Sequence, residues 1–158
     1  MNKIITLKEA IDINKKWREQ EKTVVLAGGC FDVLHQGHFI YLEKAKKGGD
    51  VLVVLLESDE NVRGLKGAGR PVNSQLKRAE GLAKFSFVDY VILLPPLIGY
   101  RQYFDITAKL APHIIAITEG DPKQKEKEIQ AKSVGGRVVL VTPLLKNYST
   151  TEILKNLL

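Results

Sequence analysis

The alternation of apolar runs with helical stretches predicts an α/β fold: a parallel sheet with helices on both faces. Three observations predict it. Five short runs are nearly continuous in β-branched and aliphatic residues: Thr23–Ala27, Val51–Leu56, Val88–Leu94, His113–Thr118 and Arg137–Val141. Such runs suit strands buried on both faces. The stretches between them carry helical spacing, and a strand–helix–strand order implies right-handed crossovers into a parallel sheet. Finally, the first run opens into glycines and a helix start, VVLAGGCFDVLHQGH from Val24 to His38. That is the form in which such folds hold phosphate.

Each element has its own justification. Thr6 and Glu9 make a capping box that opens a helix with Leu7, Ala10, Ile11 and Trp17 on its apolar side. The helix closes one edge of the fold, or offers Trp17 to a second chain. After the first strand, Gly28 and Gly29 permit a sharp turn and close approach to a ligand. Phe39, Leu42 and Ala45 then recur at helical spacing from a start near His35–Gln36. Lys46, Lys47, Gly48 and Gly49 end this helix, as basic residues and glycines do. Glu57 to Asn73, with Gly64, Gly67, Gly69 and Pro71, reads as a long loop after the C-terminal end of the second strand. It is either a surface loop or a lid that brings Lys66 and Arg70 onto phosphate.

Ser74 caps the next helix, with Leu76, Ala79, Leu82, Ala83 and Phe85 as its stripe and Arg78 off the stripe's centre. Pro95 and Pro96 stop the third strand, and a helix lies within Leu97–Ala111. Asp121 reads as a helix cap, with Pro122 at the first position of a charged helix to Ser133. Ser149 and Glu152 form a second capping box, and a Ser/Thr-rich helix start equally offers hydroxyls and N–H groups to phosphate.

The chemistry concentrates at His35 and His38, on one side of the same helical turn. Nucleotidyl transfer builds negative charge on the α-phosphate and the departing pyrophosphate, and imidazole donors aimed there stabilise it. Gly37 between them leaves room for a bulky ligand. The competing reading is a pair of surface or capping histidines. Zinc is a weaker rival, because only Cys30 is near and no third ligand is evident. Cys30 has no activating partner and reads as a small filler whose backbone N–H approaches phosphate.

Composition sets outer bounds. The chain has 158 residues, 44% hydrophobic and 27% charged, as in a globular domain. The longest apolar run is Val51–Leu56, too short to span a bilayer, and one cysteine fits a reducing cytoplasm. The net charge of +6 attracts polyanions. Arg63, Lys66, Arg70, Lys77 and Arg78 cluster in one region, which suits a triphosphate at least as well as a duplex. No nucleic acid and no membrane are expected as partners.

GCFDVLHQGH resembles the G-x-F-D-x-x-H-x-G-H signature of the cytidylyltransferase-like nucleotidyltransferases. Within that superfamily the chain is most similar to the D-glycero-β-D-manno-heptose 1-phosphate adenylyltransferases, through LKGAGRPVN, the following Arg78, VDYVI, GGRVVLV and YSTTEI. The resemblance implies one Rossmann-like domain over residues 1–158, with residues 1–21 packed on it and five parallel strands ordered 3-2-1-4-5. It implies that His35, His38, Lys66 and Arg78 are catalytic. Gly29, Cys30, Phe31, Asp32, Gly37, Arg70, Asp121, Tyr148, Ser149, Thr150 and Thr151 would bind the nucleotide. Asp32 either orients the histidine loop or only shapes the turn. No residue of the chain is assigned as a metal ligand; Mg²⁺ is expected on the nucleotide phosphates.

The implied reaction transfers AMP from ATP to a phosphorylated sugar such as heptose 1-phosphate, releasing pyrophosphate, in a cytoplasmic enzyme for which the resemblance also implies a homodimer. Bifunctional relatives join this domain to a sugar kinase, so a standalone chain would take its phosphorylated sugar from elsewhere. Two departures bear on the acceptor. Thr118 and Glu119 stand where the family has Lys and Gly, a swap worth a few kcal/mol at ~4 Å and an effective dielectric of ~20. PPLIGYRQYFD also replaces an acidic stretch, so Tyr100, Arg101 and Tyr103 either pack or reshape the acceptor pocket. The alternatives are CTP with glycerol 3-phosphate, ATP with FMN, and a non-catalytic nucleotide-binding protein.

Overall fold

The structure is a computed structural model that describes residues 2–143. Tyr148, Ser149, Thr150 and Thr151 therefore lie outside the described residues. The strands are β1 (Ile4–Thr6), β2 (Val24–Gly29), β3 (Val51–Leu56), β4 (Tyr90–Leu93), β5 (Ile114–Thr118) and β6 (Arg137–Thr142). The helices are α1 (Leu7–Glu19), α2 (Gln36–Lys46), α3 (Asp59–Lys66), α4 (Gln75–Ala83), α5 (Gly99–Leu110) and α6 (Gln124–Ser133).

All strand pairings are parallel, in the order β1-β4-β3-β2-β5-β6. The five expected strands stand in the expected relative order, but among the described residues the sheet has six. The extra strand, β1, pairs Ile4, Ile5 and Thr6 with Val91, Ile92 and Leu93. It is three residues long, and its last residue, Thr6, is also the N-cap of α1. The helix signal on Thr6 and Glu9 concealed a strand ending on the same residue, so the N-terminal segment adds a sheet edge as well as a packed helix.

Alternation along the strands divides the core. Val25, Ala27, Leu52, Val54 and Val91 face Tyr41, Leu42 and Ala45 of α2 and Ala79 and Leu82 of α4. Val24, Leu26, Val51, Val53 and Ile92 face Ala10 and Trp17 of α1 and Ile106 and Leu110 of α5. Trp17 is 5% exposed and packs on Tyr90 with ring centroids 5.2 Å apart. Burying such a ring is worth ~1.5–3 kcal/mol, and it is spent inside this chain rather than on a partner.

Three local readings change. Residues 59–66 are helical: Ser58 Oγ caps α3 by accepting from Asn61 N, with Asp59 and Glu60 in the first turn and Arg63 and Lys66 in the last. Glycine content had suggested loop throughout; only the segment after Gly67 is irregular. In α4 the apolar stripe is Ala79 and Leu82, Leu76 is 53% exposed, and Arg78 is among the most buried side chains of the protein. Helix α6 starts at Gln124, later than expected, and its N-cap is Lys123. Asp121 Oδ1 accepts from Lys123 N at 2.8 Å, so the aspartate closes the turn before the helix. No helix of the described residues is long and apolar enough to cross a membrane.

Candidate active site

The sheet order reverses direction between β2 and β5, the switch point where α/β folds open a crevice at their C-terminal strand ends. A cleft of about 190 Å³ lies there, lined by Gly28, Gly29, Cys30, Phe31, His38, Tyr41, Thr118 and Asp121. Gly29 is required by packing: a Cβ would meet the Phe31 ring at 2.9 Å. The sharp turn itself falls on Phe31, whose φ is +48°. A bulky residue there costs ~1–3 kcal/mol and is held only by its surroundings. Phe31 is 4% exposed, and its ring meets that of His38 edge-on at 5.1 Å.

Both histidines cap α2. His35 is its N-cap, with Nδ1 accepting from Gly37 N at 3.0 Å, and His38 Nδ1 accepts from His35 N at 3.4 Å. The rings stack at 3.8 Å. The capping and phosphate readings are therefore compatible. An imidazole whose Nδ1 accepts must carry its neutral proton on Nε2. Capping thus fixes both rings as Nε2–H donors at a helix N-terminus, where N–H groups and the helix dipole favour anions. Burial, then the neighbouring His35 and Lys66, pushes His38 down to about 3, and burial lowers His35. At neutral pH His38 is a donor without net charge.

Asp32 lies 2% exposed beside this turn and pins the segment after α3. Its Oδ2 accepts from Arg70 Nε at 2.8 Å and Val72 N at 2.7 Å, and its Oδ1 accepts from Asn73 N at 2.9 Å. Burial pushes this carboxyl up, but the hydrogen bonds from Val72, Asn73 and Arg70 outweigh it and hold it below the usual carboxylate range. Asp32 therefore uses both carboxylate oxygens within the protein, on Arg70, Val72 and Asn73. The Arg70 side chain is 10% exposed, and one of its terminal nitrogens, Nη2, is buried with no hydrogen-bond partner. Lys66, at the exposed end of α3, acts electrostatically on both Cys30 and His38. The Cys30 thiol is raised, chiefly by burial, which agrees with a filler rather than a nucleophile.

Arg78, expected at the phosphates, is not among the residues that line the cleft, and its guanidinium is bonded within the protein. Nε donates to Asn73 O, Nη1 to both Cys30 O at 2.8 Å and Glu57 O at 2.9 Å, and Nη2 to Asp59 Oδ1 at 2.6 Å. Four of its five N–H donors are thus committed, and its side chain is fully buried. Arg78 ties together the ends of β2 and β3 and the start of α3. Its observed hydrogen bonds hold those segments in place.

Sequence reasoning missed three residues. Tyr41 lines the cleft and donates to Ala116 O at 2.6 Å. Lys127, in the helix taken as solvated, meets Asp121 Oδ2 at 2.6 Å and acts on Glu57. Glu57 is 8% exposed, and its Oε2 accepts from Tyr103 Oη at 2.7 Å. Its place one residue past the end of β3 was the available signal.

Comparison with known proteins agrees with this geometry. The Cytidylyltransferase-like family model matches residues 26–156. The chain is 39% identical over 157 residues to the bifunctional protein HldE of Syntrophotalea carbinolica, covering 98% of this chain and 31% of that protein. It is 38% identical over 140 residues to the bifunctional protein HldE of Campylobacter jejuni strain RM1221, covering 89% of this chain and 29% of that protein. It thus spans about a third of the length of these relatives. Among solved structures it resembles a lipopolysaccharide core biosynthesis protein from Thermoplasma volcanium, with TM-score 0.61, 26% identity, and coverage of 78% of this chain and 96% of that one. A pantoate-beta-alanine ligase from Francisella tularensis shares the fold at TM-score 0.60 and 18% identity, over 95% of this chain and 74% of that one. A capping histidine that lines the switch-point cleft, in a chain whose residues 26–156 the family model matches, agrees with its place in the cytidylyltransferase-like family of nucleotidyltransferases, to which the chain belongs.

Proposed function

We propose that this chain is an adenylyltransferase, moving AMP from ATP to the phosphate of a heptose 1-phosphate-like sugar and releasing pyrophosphate. The observation that carries it is the pair of neutral Nε2–H donors fixed at the N-terminus of α2. The choice of ATP and sugar phosphate rests on the similarity to the HldE proteins.

An acceptor phosphate oxygen attacks the α-phosphorus in line, and the bond to the bridging oxygen of pyrophosphate breaks. His35 and His38 donate to the oxygens on which charge develops. The neutrality of His38 spares the site a desolvated cation before substrate arrives. Lys66, carried by α3, and Arg70, held by Asp32, offset polyphosphate charge; Arg78 fixes the strand ends that carry Cys30. Gly29, Gly37 and the Cys30–Phe31 backbone admit the nucleotide, and Asp121 borders it from the β5 side. Tyr148 near the nucleoside, and Ser149, Thr150 and Thr151 on phosphate, complete the proposed site.

The donor set suits a metal that arrives with its nucleotide. Asp121, a carboxylate that lines the cleft, is already engaged by Lys123 N and Lys127. Among the described residues no three His, Cys, Asp or Glu converge as a cage. Mg²⁺ on the β- and γ-phosphates would supply charge neutralisation there.

Pyrophosphate release is the test, with ATP and CTP crossed against heptose 1-phosphate, glycerol 3-phosphate and FMN in the presence of Mg²⁺. The expected productive pair is ATP with heptose 1-phosphate. Turnover of another pair would retain the chemistry and replace the substrate. No turnover with any pair, together with tight ATP binding, would favour a non-catalytic nucleotide-binding protein.

A further inference from the structure

The cleft has a second flank. On the β5 side, Thr118 and Asp121 border it. On the β3 side, Glu57 N donates to Gly29 O at 3.1 Å, which seats Glu57 beside a cleft-lining glycine. Arg78 Nη1 then clamps the carbonyls of Cys30 and Glu57 together, so the Glu57 backbone is tied to a second residue that lines the cleft. A carboxylate here is unexpected, because the site gathers polyphosphate and like charges repel. Burial raises the Glu57 carboxyl, while Tyr103, Lys127 and Arg78 act in the opposite direction.

The surroundings of Glu57 are built, not incidental. Tyr103 Oη donates to its Oε2 at 2.7 Å. Tyr103 belongs to α5, within the region where the sequence departs from the heptose pattern. Asn61 of α3 braces the arrangement: its Nδ2 donates to Leu97 O at 2.9 Å and reaches Tyr103 Oη at 3.4 Å, and its Oδ1 accepts from Leu97 N at 2.8 Å. A carboxylate can accept about four hydrogen bonds, and Tyr103 provides the one side-chain hydrogen bond to Glu57 among the described residues. The rest of that capacity suits an uncharged donor.

We propose that Glu57, oriented by Tyr103, accepts a hydrogen bond from a hydroxyl of the acceptor and so selects phosphorylated polyols over acceptors that present a second anion to the β3 flank. The inference rests on the adenylyl-transfer reading above and deepens it. A merely structural Glu57–Tyr103 bridge would anchor α5 without affecting which acceptor is used.

Steady-state kinetics of wild type, Tyr103→Phe and Glu57→Gln with ATP, heptose 1-phosphate and its monodeoxy analogues separate these cases. Wild type should lose about 10- to 100-fold in kcat/KM on one analogue, the cost of leaving a buried acceptor unpaired. Both variants should turn over that analogue and the parent sugar within a few-fold of each other, by raising KM for the parent sugar and leaving KM for ATP unchanged. Wild-type discrimination retained in both variants, even with a lowered melting temperature, would overturn the pair alone. A rise in KM for ATP in place of the acceptor would assign Glu57 to the nucleotide and overturn it too. Absence of wild-type turnover with every acceptor would overturn the adenylyl-transfer reading and, with it, this inference.

Discussion

The turn between β2 and α2 and the segment between β3 and α4 flank the same cleft, yet they are built differently. The first is local: His35 and His38 cap the helix that they begin, and Phe31 closes over Gly29 two residues away. The second is held from a distance: Asp32 fixes Val72 and Asn73, and Arg78 binds Cys30, Glu57 and Asp59. A local site is written as a motif. A site held by long-range bonds is written as scattered charges, and those that hold the second segment pair off within the protein, Asp32 with Arg70 and Asp59 with Arg78.

Breaking the long-range side should have the largest effect. Arg78→Met leaves the Cys30 and Glu57 carbonyls and the Asp59 carboxylate without their donor. Removing one member of a buried charged network costs ~3–5 kcal/mol, to be read as a drop in urea midpoint together with lost activity. An unchanged midpoint with lost turnover would return Arg78 to the phosphates.

Asp32→Asn should cost ~1.5–3 kcal/mol, since it weakens hydrogen bonds to a charged acceptor. The sign of its pH dependence follows from a carboxyl held low in the folded state. Its contribution is full above the unfolded value of ~3.9 and is lost as pH falls through the lower folded value. The gap between wild type and Asp32→Asn should therefore narrow as pH drops below about 4, and a gap that stays constant to pH 2 would sink this account of the Asp32–Arg70 pair.

The smallest effect sharpens the comparison by attacking local structure within the second segment. Ser58→Ala removes the cap of α3 and should cost about 1 kcal/mol. Because α3 carries Lys66, KM for ATP should rise as well; a stability loss with unaltered kinetics would show that the start of α3 does not govern Lys66.

The same contrast sets what was legible in the sequence. Strand β3 is Val51–Leu56 as read, because a continuous apolar run has one good interpretation when buried on both faces. The Thr6–Glu9 capping box was legible because it is local. Strand β1 was not: three residues carry no periodicity, and their identity as a strand comes from β4 alone. The helix at 59–66 was signalled by Ser58, Asp59 and Glu60, but Gly64 and Gly67 outweighed those caps. Arg78 read as a solvated or phosphate-facing cation because nothing in its neighbours reveals that carbonyls from two strand ends converge on it. Glu57 escaped notice since its partner, Tyr103, lies 46 residues away.

In the proposed reaction His38 stabilises charge at the transferring phosphate as a neutral donor, beyond its part in capping α2. The most direct test is single-turnover pyrophosphate release at pH 7 by wild type and His38→Ala, with ATP affinity and melting temperature measured on the same samples. Loss of one such donor should slow release by about 10²–10³-fold, while ATP affinity changes far less and the variant remains folded. A release rate within a few-fold of wild type, or a loss matched in full by weaker ATP binding, would contradict the claim and leave His38 as a helix cap.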